Sequence, residues 1–330
     1  MTTSLERLCN FITENDYPRM DDWQWGQGVC IYALEKAYQK NGNEKYLDYI
    51  EHWIESHLSQ QKPGFSVNTT SPLHGILALN KYRNQSKYMY LCDEFAQYLM
   101  AENPRCDRGA FEHTCVANNI PNQIWIDTVF MGCIFLARYG VLTQNRMYVN
   151  EALRQLVLHY DYLHKEDNKL LCHGYYCDDR TQHGAVWGRG NAWYSAASAE
   201  ILEMTDDSYP LYNEAKKRFI IHCETVIKHQ RDDGSFGTII TDPTSYSETT
   251  GTSGMAYGMA KAVQMGFMDN SCENHYKAAY EYLESCIGES GAMLEGSDGT
   301  CVNDDMNLYR NTRKADSEFC QGLAILAFSI

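Results

Sequence analysis

Two stretches of this chain carry residue types able to act on a sugar. In Trp187-Gly-Arg189-Gly-Asn-Ala-Trp193-Tyr194 a guanidinium stands between two indoles, where an irregular loop gives way to the helical run Asn191 to Met204. Arginine offers a planar donor fork for a carboxylate and tryptophan offers flat apolar faces for sugar rings, so the trio fits a receptor for an acidic carbohydrate. A tryptophan at a helix start also fits plain core. In Ile124-Trp125-Ile126-Asp127-Thr128-Val129-Phe130-Met131 a carboxylate sits among large apolar residues at the start of another helical run. Flanking Trp and Ile desolvate it and favour the protonated form, as a general acid requires, while the helix N-terminus pushes the other way. An N-cap or first-turn aspartate fits that position equally. His113 and His173 lie in the loops before the third and fourth of these runs, where each can donate to a sugar hydroxyl or carboxylate, or serve a structural role.

The elements that must position these groups repeat along the chain. Apolar residues recur at helical spacing in Gln27 to Lys40, Leu73 to Tyr82, Ile126 to Tyr139, Asn191 to Met204, Gly254 to Met265 and Asp316 to Ser329. Each of the first five is followed by a short polar turn and a second helix opening near a tyrosine: Tyr46, Tyr88, Tyr148, Tyr212 and Tyr276. The second helices, such as Lys45 to Leu58 and Lys87 to Met100, carry a polar face, whereas the first are apolar or small nearly all round. An N-terminal helix, Thr3 to Asn15, completes six hairpins in two layers. Short turns make neighbours antiparallel, so the six inner helices start at one end, and the expected fold is all-α, an (α/α)6 toroid. Strand signal is confined to Gly234-Ser-Phe-Gly-Thr-Ile-Ile and parts of the longer loops.

That closure brings Trp23 and Trp25; Asn68, Thr69 and Thr70; His113, Trp125 and Asp127; His173, Trp187, Arg189 and Trp193; Tyr246 and Glu248; and Arg310, Arg313 and Asp316 around one cavity. An aromatic-lined pocket with a few polar groups is the usual ligand site of an enzyme. Asp127 is the best-placed acid, with Glu112, Glu248 and Asp316 as conceivable partners for a reaction needing two carboxylates. No Asp, Glu or Cys stands at chelating spacing with the histidines, and there is no phosphate loop, dinucleotide fingerprint or serine elbow, so neither a metal nor a cofactor is expected.

Bulk properties narrow the class. The chain has 330 residues, 44% hydrophobic and 22% charged, without a linker or low-complexity block, and reads as a single domain, 1–330. A formal charge of −15 argues against nucleic acid, so an acidic ligand needs a local cation, either Arg189 or the cluster Arg310, Arg313 and Lys314. No basic segment followed by an apolar run opens the chain, and no window approaches the roughly 18 apolar residues of a membrane span. The 13 scattered cysteines contain no Cys-x-x-Cys pair and fit a reducing cytoplasm.

Taken together, Asp22-Trp-Gln-Trp-Gly-Gln-Gly-Val, Val67-Asn-Thr-Thr-Ser-Pro-Leu, Trp125-Ile-Asp-Thr-Val-Phe-Met, His173-Gly and Trp187-Gly-Arg-Gly-Asn-Ala-Trp resemble, in order and over nearly the whole length, the unsaturated glucuronyl and rhamnogalacturonyl hydrolases of glycoside hydrolase families 88 and 105, more the second. The resemblance implies an (α/α)6 barrel acting on lyase-generated oligosaccharides that end in a Δ4,5-unsaturated uronic acid, with an unsaturated uronyl disaccharide as substrate. It implies hydration of the vinyl ether, in which the aspartate matching Asp127 protonates C4 and assists water addition at C5. Arg189 would then hold the uronate carboxylate, Trp187 and Trp193 would pack on the ring, and His173 would contact the sugar. His113, Trp25 and Asn68 complete the implied site. Where some relatives have a second aspartate, this chain has Asn68, which can hydrogen-bond but carries no charge. Two other readings remain: an epimerase or isomerase using His113 and His173 as a proton-transferring pair, and a carbohydrate-binding protein that lost catalysis.

Overall fold

The structure, a computed structural model, describes residues 2–14 and 17–330. In chain order its helices are α1 (Ser4–Thr13), α2 (Trp25–Asn41), α3 (Glu44–Leu58), α4 (Val67–Thr70), α5 (Leu73–Arg83), α6 (Met89–Ala101) and α7 (Ile134–Leu142). They continue with α8 (Arg146–Leu163), α9 (Gly188–Glu203), α10 (Tyr212–Ile227), α11 (Thr249–Gln264), α12 (Glu273–Ser285), α13 (Met306–Arg310) and α14 (Glu318–Phe328). Helices α2, α5, α7, α9, α11 and α14 form an inner ring, each backed by an outer partner, with α1 lying on α14. The architecture is the (α/α)6 toroid read from the sequence.

Periodicity explains the two layers. In α3 the buried residues are Tyr46, Leu47, Ile50, Trp53 and Ile54, one helix face, whereas in α9 every residue from Gly188 to Leu202 is buried. Inner helices can pack this closely because small residues meet at the contacts. A Cβ added at Gly254 of α11 would stand 2.6 Å from Ala192 Cβ, and one at Gly258 would stand 2.8 Å from Ser195 Cβ, so glycine is needed where α11 lies on α9. At the far end of the ring the hairpin turns are tight: α2 ends on Gly42 at φ 70°, and Asn43 then caps α3 by accepting from Lys45 N at 3.2 Å.

Boundaries differ from the sequence expectation where tertiary contacts decide them. Helices α9 and α11 begin three and five residues earlier than their apolar periodicity, at Gly188 and Thr249, because their polar first turns are buried by neighbours. The third inner helix opens later, with a π-helical turn, Val129–Cys133, separated from Asp127 by Thr128 alone. Of the expected helix Thr3 to Asn15, Ser4–Thr13 is helical, and Asn15 lies outside the described residues. Five short strands run through the long loops: β1 (Gln123–Trp125), β2 (Gly174–Tyr176) and β3 (Thr181–His183) form one antiparallel sheet, and β4 (Phe236–Gly237) pairs with β5 (Ser247–Glu248). The sequence expectation named the β4 region by its residues and the other strands only as parts of the longer loops.

The ring interior is not wholly apolar. Away from the helix starts, Arg138 of α7 makes two 2.6 Å bonds to the fully buried Glu35 of α2 and approaches His74 Nδ1 of α5 at 2.8 Å. Beside it Glu200 of α9 accepts from Tyr32 and Tyr257 and pairs with Lys36 at 2.6 Å. Five inner helices thus meet on a buried ionic plug, which the helical periodicity alone could not show. Buried pairs add little net stability when intact, but losing one partner is costly. Replacing Arg138 with Met should therefore lower the unfolding free energy by about 3 kcal/mol or more. The double replacement with Glu35→Met should lose less than the sum of the singles, a coupling that urea titrations of the four proteins would measure.

Burial also sets the response to acid. It pushes the imidazoles of His113, His159 and His222 down to about 4 from an ordinary 6.5. The unfolded chain therefore takes up these protons first, and stability should fall as pH drops from about 6.5 toward 4. Urea midpoints measured at pH 7 and pH 5 should show this loss before most carboxylates titrate.

Candidate active site

At the helix-start end, the long loops enclose a cavity of about 330 Å³. Its walls include Trp25, Asn68, His113, Trp125, Asp127, Trp187 and Arg189. Asp127 is the one carboxylate among the described residues lining it. The sequence motif leaves open whether this aspartate caps a helix. In the structure no backbone N–H of the helix start donates to its carboxylate, and the side chain retains 13% exposure toward the cavity.

Backbone pairing brings its partner from 46 residues away. Strand β1 pairs with β2 in the register Trp125↔Gly174, and Ile126 N donates to His173 O at 3.1 Å. His173 Nε2 then lies 3.4 Å from Asp127 Oδ2, and neither atom has a hydrogen-bond partner among the described residues, so the two face each other across a close polar contact. On the other side, His113 is fixed by its backbone bond to Gln123 O and by Thr128 Oγ1, 3.0 Å from its Nδ1. The imidazole of His113 stacks on Trp125 at 5.0 Å, and Trp125 meets His173 edge-on at 5.4 Å, so an indole stands between the two histidines.

These surroundings settle the opposing pulls on Asp127. Burial alone would push its pKa up, but the facing His173 imidazole, with His113 and the Arg189 guanidinium nearby, outweighs it, holding the carboxyl below its ordinary range. Burial likewise pushes both histidines down, so they are neutral near pH 7.

Arg189 is fully buried, sandwiched between Trp187 at 4.4 Å and Phe319 at 4.7 Å. Its terminal nitrogens donate to Ser297 O at 2.8 Å and Asp298 O at 2.9 Å, with Thr250 and Thr300 hydroxyls at 3.4 Å. Glu248, 3.9 Å away, caps α11 through Gly251 N and also accepts from Ser297 N at 2.8 Å. The guanidinium therefore clasps the 297–300 loop and leaves Nε without a partner; Trp187 Nε1 is a second buried donor in that condition.

Other expected positions fall elsewhere. Trp193 has no exposed surface and packs behind Trp25 and against Phe130, shaping the wall from within. His173 is also fully covered and reaches the cavity through Asp127. Trp23 stacks on Trp53 and donates to Thr69 O, and Glu112 fixes its own loop by accepting from Asn122 N. Asp316 is exposed. The cationic cluster is neutralised: Arg310 by Asp242, Arg313 by Asp298 and Lys314 by Glu295. Conversely, Cys115, Asn119, Ile120 and the segment Gly299–Cys301 line the cavity without a motif to announce them. The available signal was loop length, since residues 286–305 run between α12 and α13 with little regular structure.

The fold and this single-acid, aromatic-lined cavity suit an enzyme acting on carbohydrate. Residues 5–329 match the profile of Glycosyl Hydrolase Family 88, and the chain belongs to that family. It is 26% identical over 331 residues to the unsaturated rhamnogalacturonyl hydrolase YesR of Bacillus subtilis, covering 98% of this chain and 93% of that protein. Over 175 residues, 51% of this chain and 42% of the other, it is 26% identical to an unsaturated 3S-rhamnoglycuronyl hydrolase from Alteromonas. Among solved structures, a possible member of family GH105 from Salmonella enterica superposes with a TM-score of 0.92 at 25% identity, over 98% of this chain and 92% of that one. The chain is a glycoside hydrolase.

Removing the clasp has a defined consequence. Arg189→Ala should cost about 3 to 5 kcal/mol, because Glu248 would remain buried without its cation. Hydrogen exchange should accelerate selectively at the amides of residues 297–301.

Proposed function

We propose that this chain releases a Δ4,5-unsaturated uronic acid from the end of a lyase-generated disaccharide by hydrating its C4=C5 bond. The observation that carries this reading is the lone carboxylate. Hydrolysis at an anomeric carbon uses two carboxyl groups about 5 to 10 Å apart, one on each side of the bond. Here Glu112, Glu248 and Asp316 are absent from the cavity, leaving Asp127 as its only carboxyl group among the described residues. Hydration of a vinyl ether needs one group that gives a proton and takes one back. Asp127 protonates C4, water adds at C5 while Asp127 removes its proton, and the resulting hemiketal opens to release the second sugar.

Asp127 is ionised in the free site, so it must be protonated before the first step. An entering uronate excludes water and adds a negative charge, and both raise the pKa of a carboxyl group. The unpartnered donors Arg189 Nε and Trp187 Nε1 suit the uronate carboxylate. Trp25, Trp125 and Trp187 offer apolar ring faces, and Asn68 an uncharged hydrogen-bonding group. The similarity to YesR favours a rhamnogalacturonan-derived substrate. No helix of the described residues is long and apolar enough to cross a membrane, and the 13 cysteines are free thiols, which supports action in the reducing cytoplasm by one catalytic domain spanning 1–330. The epimerase reading loses support because Trp125 separates the two histidines and Asp127 faces the cavity.

The test follows the ultraviolet absorbance of the conjugated double bond with disaccharides prepared by lyases from rhamnogalacturonan, glycosaminoglycan and ulvan. The wild-type protein should abolish the absorbance of at least one, the rhamnogalacturonan product foremost. Asp127→Asn should stay folded and slow that loss by about a hundredfold or more. Near-normal turnover by this variant would refute the assignment. Tight binding without turnover by the wild type would favour a binding protein instead.

A further inference from the structure

Behind the contact between Asp127 and His173 lies a group that the proposed reaction does not touch. Tyr309 of α13 is fully buried, and its hydroxyl stands 2.8 Å from His173 Nδ1. The same oxygen accepts from the backbone N–H of Asn303 at 3.3 Å. Space for this approach comes from Gly184, at φ 80°: an added Cβ there would lie 2.6 Å from the Tyr309 hydroxyl oxygen and 3.0 Å from His173 Cβ.

The proton positions follow from counting donors. A phenol has one proton and two lone pairs; Asn303 N–H takes one lone pair, and the proton is free to point at His173 Nδ1, so the choice of tautomer is made on the Asp127 side of the ring. In the opposite tautomer, Nδ1 would carry the imidazole proton and Nε2 would turn a bare lone pair toward Asp127 Oδ2, 3.4 Å away. Two buried acceptors facing each other without a proton would be unsatisfied on both sides. His173, with no exposed surface, has no solvent to relieve them.

We propose that Tyr309 is a positioning residue: by donating to Nδ1 it fixes His173 as the Nε2–H tautomer and aims that proton at Asp127. The inference rests on Asp127 being the proton-transferring acid and adds how its hydrogen bond is set. The charged and titratable groups facing Asp127 are His173 from the β2 loop, His113 from the β1 side, Arg189 from α9, Tyr309 from α13 and Cys301 from the 297–301 loop. Those facing His173 are Asp127, Arg189 and Tyr309. Of these, Arg189 stays charged throughout, and His113 is neutral above about 4. Through the neutral range, the adjustable influence on Asp127 is therefore the Nε2–H group that faces it at 3.4 Å. A bond from a neutral imidazole steadies a carboxylate less firmly than an imidazolium would, leaving Asp127 able to gain and return a proton.

The test combines nitrogen-15 NMR of histidine-labelled protein with kinetics. The His173 signal is assigned by its disappearance in His173→Gln. Wild-type protein should show hydrogen bonded to Nε2 and a bare Nδ1, a measurement that needs no variant at Tyr309. Tyr309→Phe should release the tautomer and lower kcat by about tenfold with KM nearly unchanged. It should also move the Asp127 limb of the pH–rate profile to higher pH, because the carboxylate loses its donor. A wild-type proton on Nδ1 would overturn the proposal, as would a Tyr309→Phe protein with unchanged tautomer and pH profile. Because the NMR readout needs no substrate, absence of turnover on unsaturated disaccharides would count against the proposed function alone.

Discussion

The 3.4 Å contact between Asp127 and His173 is the point on which the helix-start end of the ring depends. A lone carboxylate in an aromatic cavity is stable only if a donor faces it, and this donor comes from a distant loop. The β1–β2 ladder performs that delivery with main-chain hydrogen bonds, whose geometry does not depend on flexible side chains. The π turn that follows Asp127 then lets the third inner helix begin without drawing the carboxylate into capping it. The toroid places six helix starts together, and the small sheet converts proximity into a defined contact.

Electrostatics inside the cavity differ from those of the whole molecule. The chain carries a formal charge of −15, which repels an acidic sugar at long range. Screening confines that repulsion to about 8 Å at physiological salt, whereas a buried guanidinium acts through a medium that screens it much less. Arg189 is therefore a local cation in an acidic protein. It holds the 297–300 loop with its fork and leaves Nε unpaired.

The architecture was legible because helix periodicity is local: the alternation of all-round apolar runs with half-polar ones is visible in adjacent residues and implies two layers without knowledge of contacts. Asp127, Trp187 and Arg189 were legible as cavity residues because they stand at or just before inner-helix starts, and His113 because it lies in the loop leading to one. What escaped was non-local. The pairing of Gln123–Trp125 with Gly174–Tyr176 has no strong period in either three-residue strand, so neither the sheet nor the Asp127–His173 contact could be read. Trp193 was misplaced for a related reason: helical spacing shows that a residue faces inward, yet not whether it lines the cavity or stands behind another indole. The Glu35–Arg138–His74 plug was hidden among residues whose charges, taken singly, read as surface. Gly299–Cys301 carries no periodic pattern, and its position follows from the acceptors that Arg189 requires.

The central claim is that the bond attacked is C4=C5 and that the proton reaches C4 from the enzyme. Turnover in heavy water, followed by NMR of the released sugars, tests it most directly. The account predicts deuterium on C4 of the former uronic acid, loss of its double bond, and an unlabelled carbon skeleton in the other sugar. Release of a uronic acid that keeps its double bond and carries no deuterium at C4 would show cleavage at the anomeric carbon and contradict the account.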